Sequence, residues 1–199
     1  MKKFIFTLLV LLFGMQILNA QWVQQTSNTN NALLNIKFYD NNTGFISGYG
    51  GVMLKTTNSG SNWTVTDLGL SGKFMNGLCV VNQNVIYSVG FYETIIKSTN
   101  GGVNWTFIKN GPYGQGHSYE AVYFINENTG WICGSGSLIF KTTNGGVSFD
   151  SVNIPVGYLF DIYFRNENEG LVCGEAATMY RTTNGGSNWQ EIIVPVGNE

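Results

Sequence analysis

Charge is the first thing this sequence lacks. Only 11% of its 199 residues are Asp, Glu, Lys or Arg, against about 25% in an ordinary soluble domain, so the Lys/Glu-rich surface of a helical protein is missing. Three prolines and no Gly-X-Y period exclude collagen. Histidine occurs once and arginine twice. One imidazole excludes a His-based metal cluster, and any Ser-His-Asp triad would have to be built on His117, near which no nucleophile motif stands. No Lys/Arg run offers a surface that neutralises phosphates, so nucleic acid is not an expected partner. The three cysteines, Cys79, Cys133 and Cys173, lack the spacing of a zinc site, and their odd number does not make a disulfide framework. All three are read as buried free thiols. Gly111–Gly116 does not join a strand to a helix, so it is no dinucleotide loop. No metal and no cofactor are expected.

What the chain has instead is apolar and aromatic residues (43% and 14%), 26 glycines and 24 asparagines. That aromatic content excludes a disordered chain, and the Gly and Asn content works against helices. Residues 1–20 read as a signal peptide. Lys2 and Lys3 precede an apolar run from Phe4 to Leu18, and Leu18-Asn19-Ala20 ends in the small residue that a signal peptidase needs. The run is 15 residues long, shorter than the roughly 20 of a bilayer span. An exported protein is therefore expected, secreted, periplasmic or at the cell surface, with no membrane span after signal removal. Residues 21–199 then carry 8 basic and 12 acidic side chains.

Self-similarity organises the rest. Thr56-Thr57-Asn58-Ser59-Gly60-Ser61-Asn62-Trp63 aligns with Ser98–Trp105, Thr142–Phe149 and Thr182–Trp189. The equivalent Gly60, Gly102, Gly146 and Gly186 are 42, 44 and 40 residues apart. Such a period, filled with short β-branched and aromatic runs between Asn/Gly turns, predicts propeller blades of four strands. In each repeat the first strand ends at an Asn or Asp, as in Val122–Asn126. The second ends at Gly48, Gly90, Gly134 or Gly174. The third runs into Lys55, Lys97, Lys141 or Arg181, and the fourth starts at the aromatic Trp63, Trp105, Phe149 or Trp189. Blades are expected over about 33–68, 74–110, 119–154 and 158–196. Residues 21–27, which include Trp22, resemble an additional outer strand. Asn58, Asn100, Asn144 and Asn184 with the following glycines suit hairpins of positive φ, and the aromatics are placed to cover them, a structural role. The basic stems of Lys55, Lys97, Lys141 and Arg181 are expected beside these aromatics.

These segments resemble Asp-box, or BNR-type, repeats with Asn in place of the usual Asp. The pattern Lys-Thr-Thr-Asn-Gly-Gly-x-x-Trp is most similar to the photosystem II stability/assembly factor-like family. The resemblance covers residues 22–195 and implies an all-β toroidal propeller, usually with more than four blades. Four repeats plus a remainder therefore predict a partial or open propeller, with self-association possible through its open edges. The motif is shared with sialidases, other glycoside hydrolases and sorting receptors. Sialidases use an arginine triad, which Arg165 and Arg181 cannot supply. Family members tied to the photosystem carry an arginine-rich patch, which two arginines cannot reproduce either.

Propellers bind through the loops that join blade to blade and second strand to third. Here those loops hold Tyr49, Phe91, Tyr92, Glu93, Tyr113, His117, Tyr119 and Glu175. Aromatics among glycines and polar residues suit contact with a protein or a glycan. The expected function is an exported, non-enzymatic scaffold with no catalytic residue. The alternative is a fragment of an Asp-box carbohydrate-active enzyme, with Glu93, Glu120, Asp161 and Glu175 as the acids to consider.

Overall fold

Strong β-formers punctuated by Asn/Gly turns give a chain that repeatedly runs out and back. The computed structural model describes residues 23–193, and among them the regular structure is all strand. Blade 1 comprises β1 (Leu33–Phe38), β2 (Gly44–Gly48), β3 (Val52–Thr56) and β4 (Thr64–Asp67). Blade 2 comprises β5 (Gly77–Val80), β6 (Ile86–Gly90), β7 (Thr94–Ser98) and β8 (Thr106–Lys109). Blade 3 follows with β9 (Tyr119–Phe124), β10 (Gly130–Gly134), β11 (Leu138–Thr142) and β12 (Asp150–Asn153). Blade 4 has β13 (Leu159–Phe164), β14 (Gly170–Gly174), β15 (Met179–Thr182) and β16 (Gln190–Glu191). Each blade is a separate antiparallel sheet with its strands in chain order. The four first strands lie side by side in the order β1, β5, β9, β13. This is an all-β propeller arc of four blades.

The first strands begin a few residues before the apolar–Asn segments that mark them in sequence, and the fourth strands begin one residue after the aromatic. The expected outer strand at 21–27 is not formed over Val23–Ser27, which is irregular and largely exposed; Trp22 lies outside the described residues. A strand requires an open sheet edge to pair with, and blade 4 already fills its own with β16. The signal segment and the residues after Ile193 also lie outside the described residues.

The repeated hairpins close with one hydrogen-bond pattern. In the first, the Thr56 hydroxyl accepts from the amides of Asn58 (3.3 Å) and Gly60 (3.0 Å) and donates to Asn58 Oδ1 (3.0 Å). Asn58 Oδ1 then accepts from the amide of Asn62 (2.9 Å). Ser98/Asn100, Thr142/Asn144 and Thr182/Asn184 repeat the pattern. The motif needs one side-chain oxygen at the Asn position, which explains why Asn can replace Asp. Trp63, Trp105, Phe149 and Trp189 each lie within van der Waals reach of the turn glycine, respectively Gly60, Gly102, Gly146 and Gly186.

Blades are joined by stacked rings. Phe124 at the end of β9 stacks on Tyr87 of β6 (3.7 Å, 6°), and Phe164 at the end of β13 stacks on Trp131 of β10 (3.5 Å, 8°). Phe124 can lie flat only because Gly130 stands opposite it; a Cβ there would meet the ring at 2.4 Å. The polar edges are satisfied across the joint. Tyr87 Oη donates to Gly145 O at 3.0 Å, and Trp131 Nε1 donates to Gly185 O at 3.2 Å. Lys55, Lys97 and Lys141 pair across their sheets with Phe45, Tyr87 and Trp131. That register sets each ammonium over the second-strand ring, at 5.7, 5.0 and 5.7 Å, rather than beside the hairpin aromatic expected from sequence.

The cysteines are all free but occupy different surroundings. Cys133 is fully buried between blades 3 and 4, where burial pushes its thiol well above the usual range. Cys173 is exposed, contrary to the expectation, because no described residue covers it as blade 4 covers Cys133. Trp131→Ala is expected to cost about 3–5 kcal/mol, measured as a lower urea midpoint with an unchanged slope. Maleimide should label Cys173 in native protein diluted until it is monomeric and Cys133 only on unfolding; equal rates would contradict this placement.

Candidate functional site

One end of the arc carries the turns between second and third strands and the connections between blades, tied into a belt by backbone bonds. Each turn is clipped to the connection before it: Tyr49 N to Ala32 O, Phe91 N to Phe74 O, Ser135 N to Ser118 O, and Glu175 N to Tyr158 O, at 2.8–3.0 Å. In blades 1–3 it is also clipped to the connection after it, through Gly50 N to Lys73 O, Glu93 N to His117 O and Gly136 N to Gly157 O. Loops bound this way are a scaffold that can hold side chains in fixed positions.

Five aromatic rings form a row on this belt across blades 1 and 2. Tyr49 meets Phe74 (4.8 Å), Phe74 meets Phe91 (5.1 Å), Phe91 meets Tyr92 (5.8 Å), and Tyr92 meets Tyr113 (4.9 Å). Tyr113 is 68% exposed and the other four are half-buried. The rings meet at tilted and edge-on angles, 56° to 72°, the arrangements aromatic pairs prefer. Tyr113 approaches so closely over Gly72 that a Cβ there would fall 2.2 Å from its ring. The structure thus brings together Tyr49, Phe91, Tyr92 and Tyr113 from the predicted set and adds Phe74.

Lys73 anchors the row from below. It is 6% exposed, and its ammonium donates to Thr94 Oγ1 (3.1 Å), Gly111 O (2.7 Å) and Asn110 Oδ1, 5.9 Å from the centre of the Tyr92 ring. Burial lowers its pKa. Sequence reasoning missed both Lys73 and Phe74. The available signal was a lysine outside the once-per-blade series, set in the apolar stretch Leu70–Met75.

The other predicted residues disperse. Glu93 pairs with Lys109 at 3.0 Å beside the row. The His117 ring lies against Gly136, at the turn of blade 3. Glu175 is exposed on the turn of blade 4, against Gly157. Tyr119 is not on the exposed loop face. It opens β9, is 2% exposed and packs edge-on against Phe140 (5.4 Å, 72°), because β9 starts early enough to carry it into the core between blades 2 and 3.

A groove of about 850 Å³ runs along the four first strands. Asn35 Nδ2 reaches Asn76 O, Asn76 Nδ2 donates to Glu120 Oε2 (2.8 Å), and Tyr158 Oη donates to Glu120 Oε1 (2.5 Å). Burial, followed by the Glu120 carboxylate, pushes the Tyr158 phenol up to about 12. The network links the connections and first strands of all four blades. Among the described residues no three His, Cys, Asp or Glu side chains are grouped to hold a metal, and no helix is long and apolar enough to cross a membrane.

The tight turns show where geometry is strained. All four have two successive positive φ values, as two-residue type I′ hairpins require. Gly50-Gly51 meets the requirement without cost, but blade 2 places Tyr92 (56°) and Glu93 (55°) there and blade 4 places Ala176 (54°) and Ala177 (59°). A side chain in this region costs about 1–2 kcal/mol. Blade 2 therefore bears strain at Tyr92, which contributes the fourth ring of the row.

The chain was compared with known proteins. The family model described as photosynthesis system II assembly factor YCF48 matches residues 15–117 and 114–196. A solved structure of YCF48 bound to D1 peptide is 15% identical with a TM-score of 0.56, covering 83% of this chain and 82% of that one. YCF48 from Cyanidioschyzon merolae is 18% identical with a TM-score of 0.69, covering 89% of this chain and 61% of that one. The GH74 enzyme of Niastella koreensis is 19% identical with a TM-score of 0.63, covering 80% of this chain but only 30% of that one. No curated protein sequence matches. At these identities the structures share the propeller fold.

Ala177→Gly is expected to raise stability by about 1 kcal/mol by relieving its turn. Tyr92→Gly should leave stability nearly unchanged, since relief of the turn offsets lost ring packing. Urea denaturation of both variants checks the pair.

Proposed function

The chain belongs to the photosynthesis system II assembly factor YCF48 family, and from that premise we propose that it is an exported, non-enzymatic propeller that holds an extended segment of a partner protein on its loop face. The observation that carries this reading is the aromatic row Tyr49–Phe74–Phe91–Tyr92–Tyr113. Its rings stand on loops held by backbone bonds, a preformed apolar surface on which a peptide's side chains can pack at little ordering cost. The solved YCF48 relative is bound to a D1 peptide, which favours this occupant over a glycan. The partner differs in charge from one that an arginine-rich patch would hold. Arg165 and Arg181, the two arginines, are both on blade 4, so the segment bound by the row is apolar or aromatic rather than acidic.

The carbohydrate-enzyme alternative is less well supported by the acids themselves. Glu93 is tied to Lys109, and Glu120 is engaged by Asn76 and Tyr158. Both are held in structural contacts. Export rests on the sequence of residues 1–20 and places the protein in the periplasm, at the cell surface or outside the cell.

A peptide array screened with the purified protein tests the reading. Apolar, aromatic-containing peptides are expected to bind, and Tyr92→Ala or Tyr113→Ala should weaken them about tenfold or more, equivalent to about 1.4 kcal/mol. Binding of oligosaccharides but not peptides, or glycan hydrolysis lost in Glu120→Gln, would overturn it. Amino-terminal sequencing of exported protein should begin at Gln21; retention of Met1 in the cell interior would refute export.

A further inference from the structure

The blade-to-blade joint has two halves, and among the described residues one of each has no partner. Within a joint, the earlier blade offers its second-strand ring and third-strand cation, and the later blade offers its first-strand aromatic and its hairpin turn. Blade 4 carries the first half on its outer side. Leu171, Arg181 and Cys173 stand where Trp131, Lys141 and Cys133 stand in blade 3. Leu171 is 41% exposed where Trp131 is 0%. Blade 1 carries the second half. Ile36 and Phe38 stand where Ile162 and Phe164 stand in blade 4, and are 55% and 44% exposed where those are 3% and 0%.

The polar groups at the two ends match as well. Lys97 Nζ donates to Gly145 O in the next blade at 3.1 Å, and Asn82 and Asn126 donate to Glu127 and Glu167 in the next blade. At the open end of blade 4 the corresponding Arg181 and Asn166 turn back onto Glu169 of their own blade instead. The hairpin residue that would receive Arg181 is Ser59, whose φ of 58° puts it in the same conformation as Gly145 and Gly185. Asn28 touches Trp63 at the outer rim of blade 1, leaving Ile36 and Phe38 on the first strand open.

We propose that these two faces bind one another between two copies of this chain, head to tail, with Phe38 and Ile36 of one copy against Leu171 of the other and Arg181 at the Ser59 turn. The joint continues an interface that the chain already forms between its own blades, which supplies its register and its chemistry. Such a contact is heterologous, and where its rotation closes after two copies both faces are satisfied in a two-fold ring of eight blades. It is independent of the aromatic row, which lies on the loop end.

The test uses the full 199-residue chain, expressed with its own amino terminus, in sedimentation across a dilution series. Concentration-dependent assembly is expected, with the dimer as its smallest form. Phe38→Asp and, separately, Leu171→Asp should each give monomer, with circular dichroism unchanged because both side chains are already exposed. Mixing these two variants should restore dimers, since one intact joint remains between them; neither variant alone retains one. Arg181→Glu provides a second check that leaves the apolar contact in place and should weaken assembly severalfold. A wild-type monomer at all concentrations, or assembly that survives both substitutions, or no recovery on mixing, would overturn the proposal.

Discussion

The rings that blades 3 and 4 each lay on the blade before hold most of the arc together. A four-stranded sheet of this length has two apolar faces and cannot bury either by itself. Phe124 on Tyr87 and Phe164 on Trp131 are buried flat between sheets, and the second-strand glycines opposite them supply the clearance. The indole and phenol edges reach the hairpin of the next blade, so the apolar stack and the polar rim are set by the same residue. The joint between blades 1 and 2 is a variant. Val80 stands where the others have phenylalanine, and Phe45 packs instead against the hairpin at Gly102 and within a cluster that includes Trp105. A fold built from one repeated contact has no intrinsic reason to stop, and its first and last faces retain the chemistry of an interior joint.

The loop end answers to a different constraint. Backbone bonds knit turns and connections into a belt, and Lys73 is buried within it because three oxygen acceptors converge on its ammonium. On that rigid base, blade 2 keeps Tyr92 and Glu93 in a backbone region that blade 1 reaches with two glycines. Strain carried by a half-buried aromatic in a contiguous row is consistent with retention for contact rather than for folding.

Much of the architecture was legible in the chain because its signals are local. The Thr-x-Asn-Gly hairpin closes within eight residues, so its hydrogen bonds could be anticipated from side-chain chemistry, and the second strands end at the expected glycines. The candidate face was only partly legible. Tyr49, Phe91, Tyr92 and Tyr113 were recognisable as loop aromatics, but Tyr119 looked the same and is core. Phe74 and Lys73 carried no motif and emerged only when two loops met.

By itself the sequence determined the number of blades, their strand order, the turn chemistry and membership of a propeller family, since each follows from spacing and from contacts within a hairpin. Only the tertiary structure decided which loop aromatics form a row. It also decided why Cys133 is buried while Cys173, in the same sequence context, is exposed. The physical reason is the same in both cases. Burial in this fold is conferred by the neighbouring blade, and equivalent residues differ according to whether that neighbour is there.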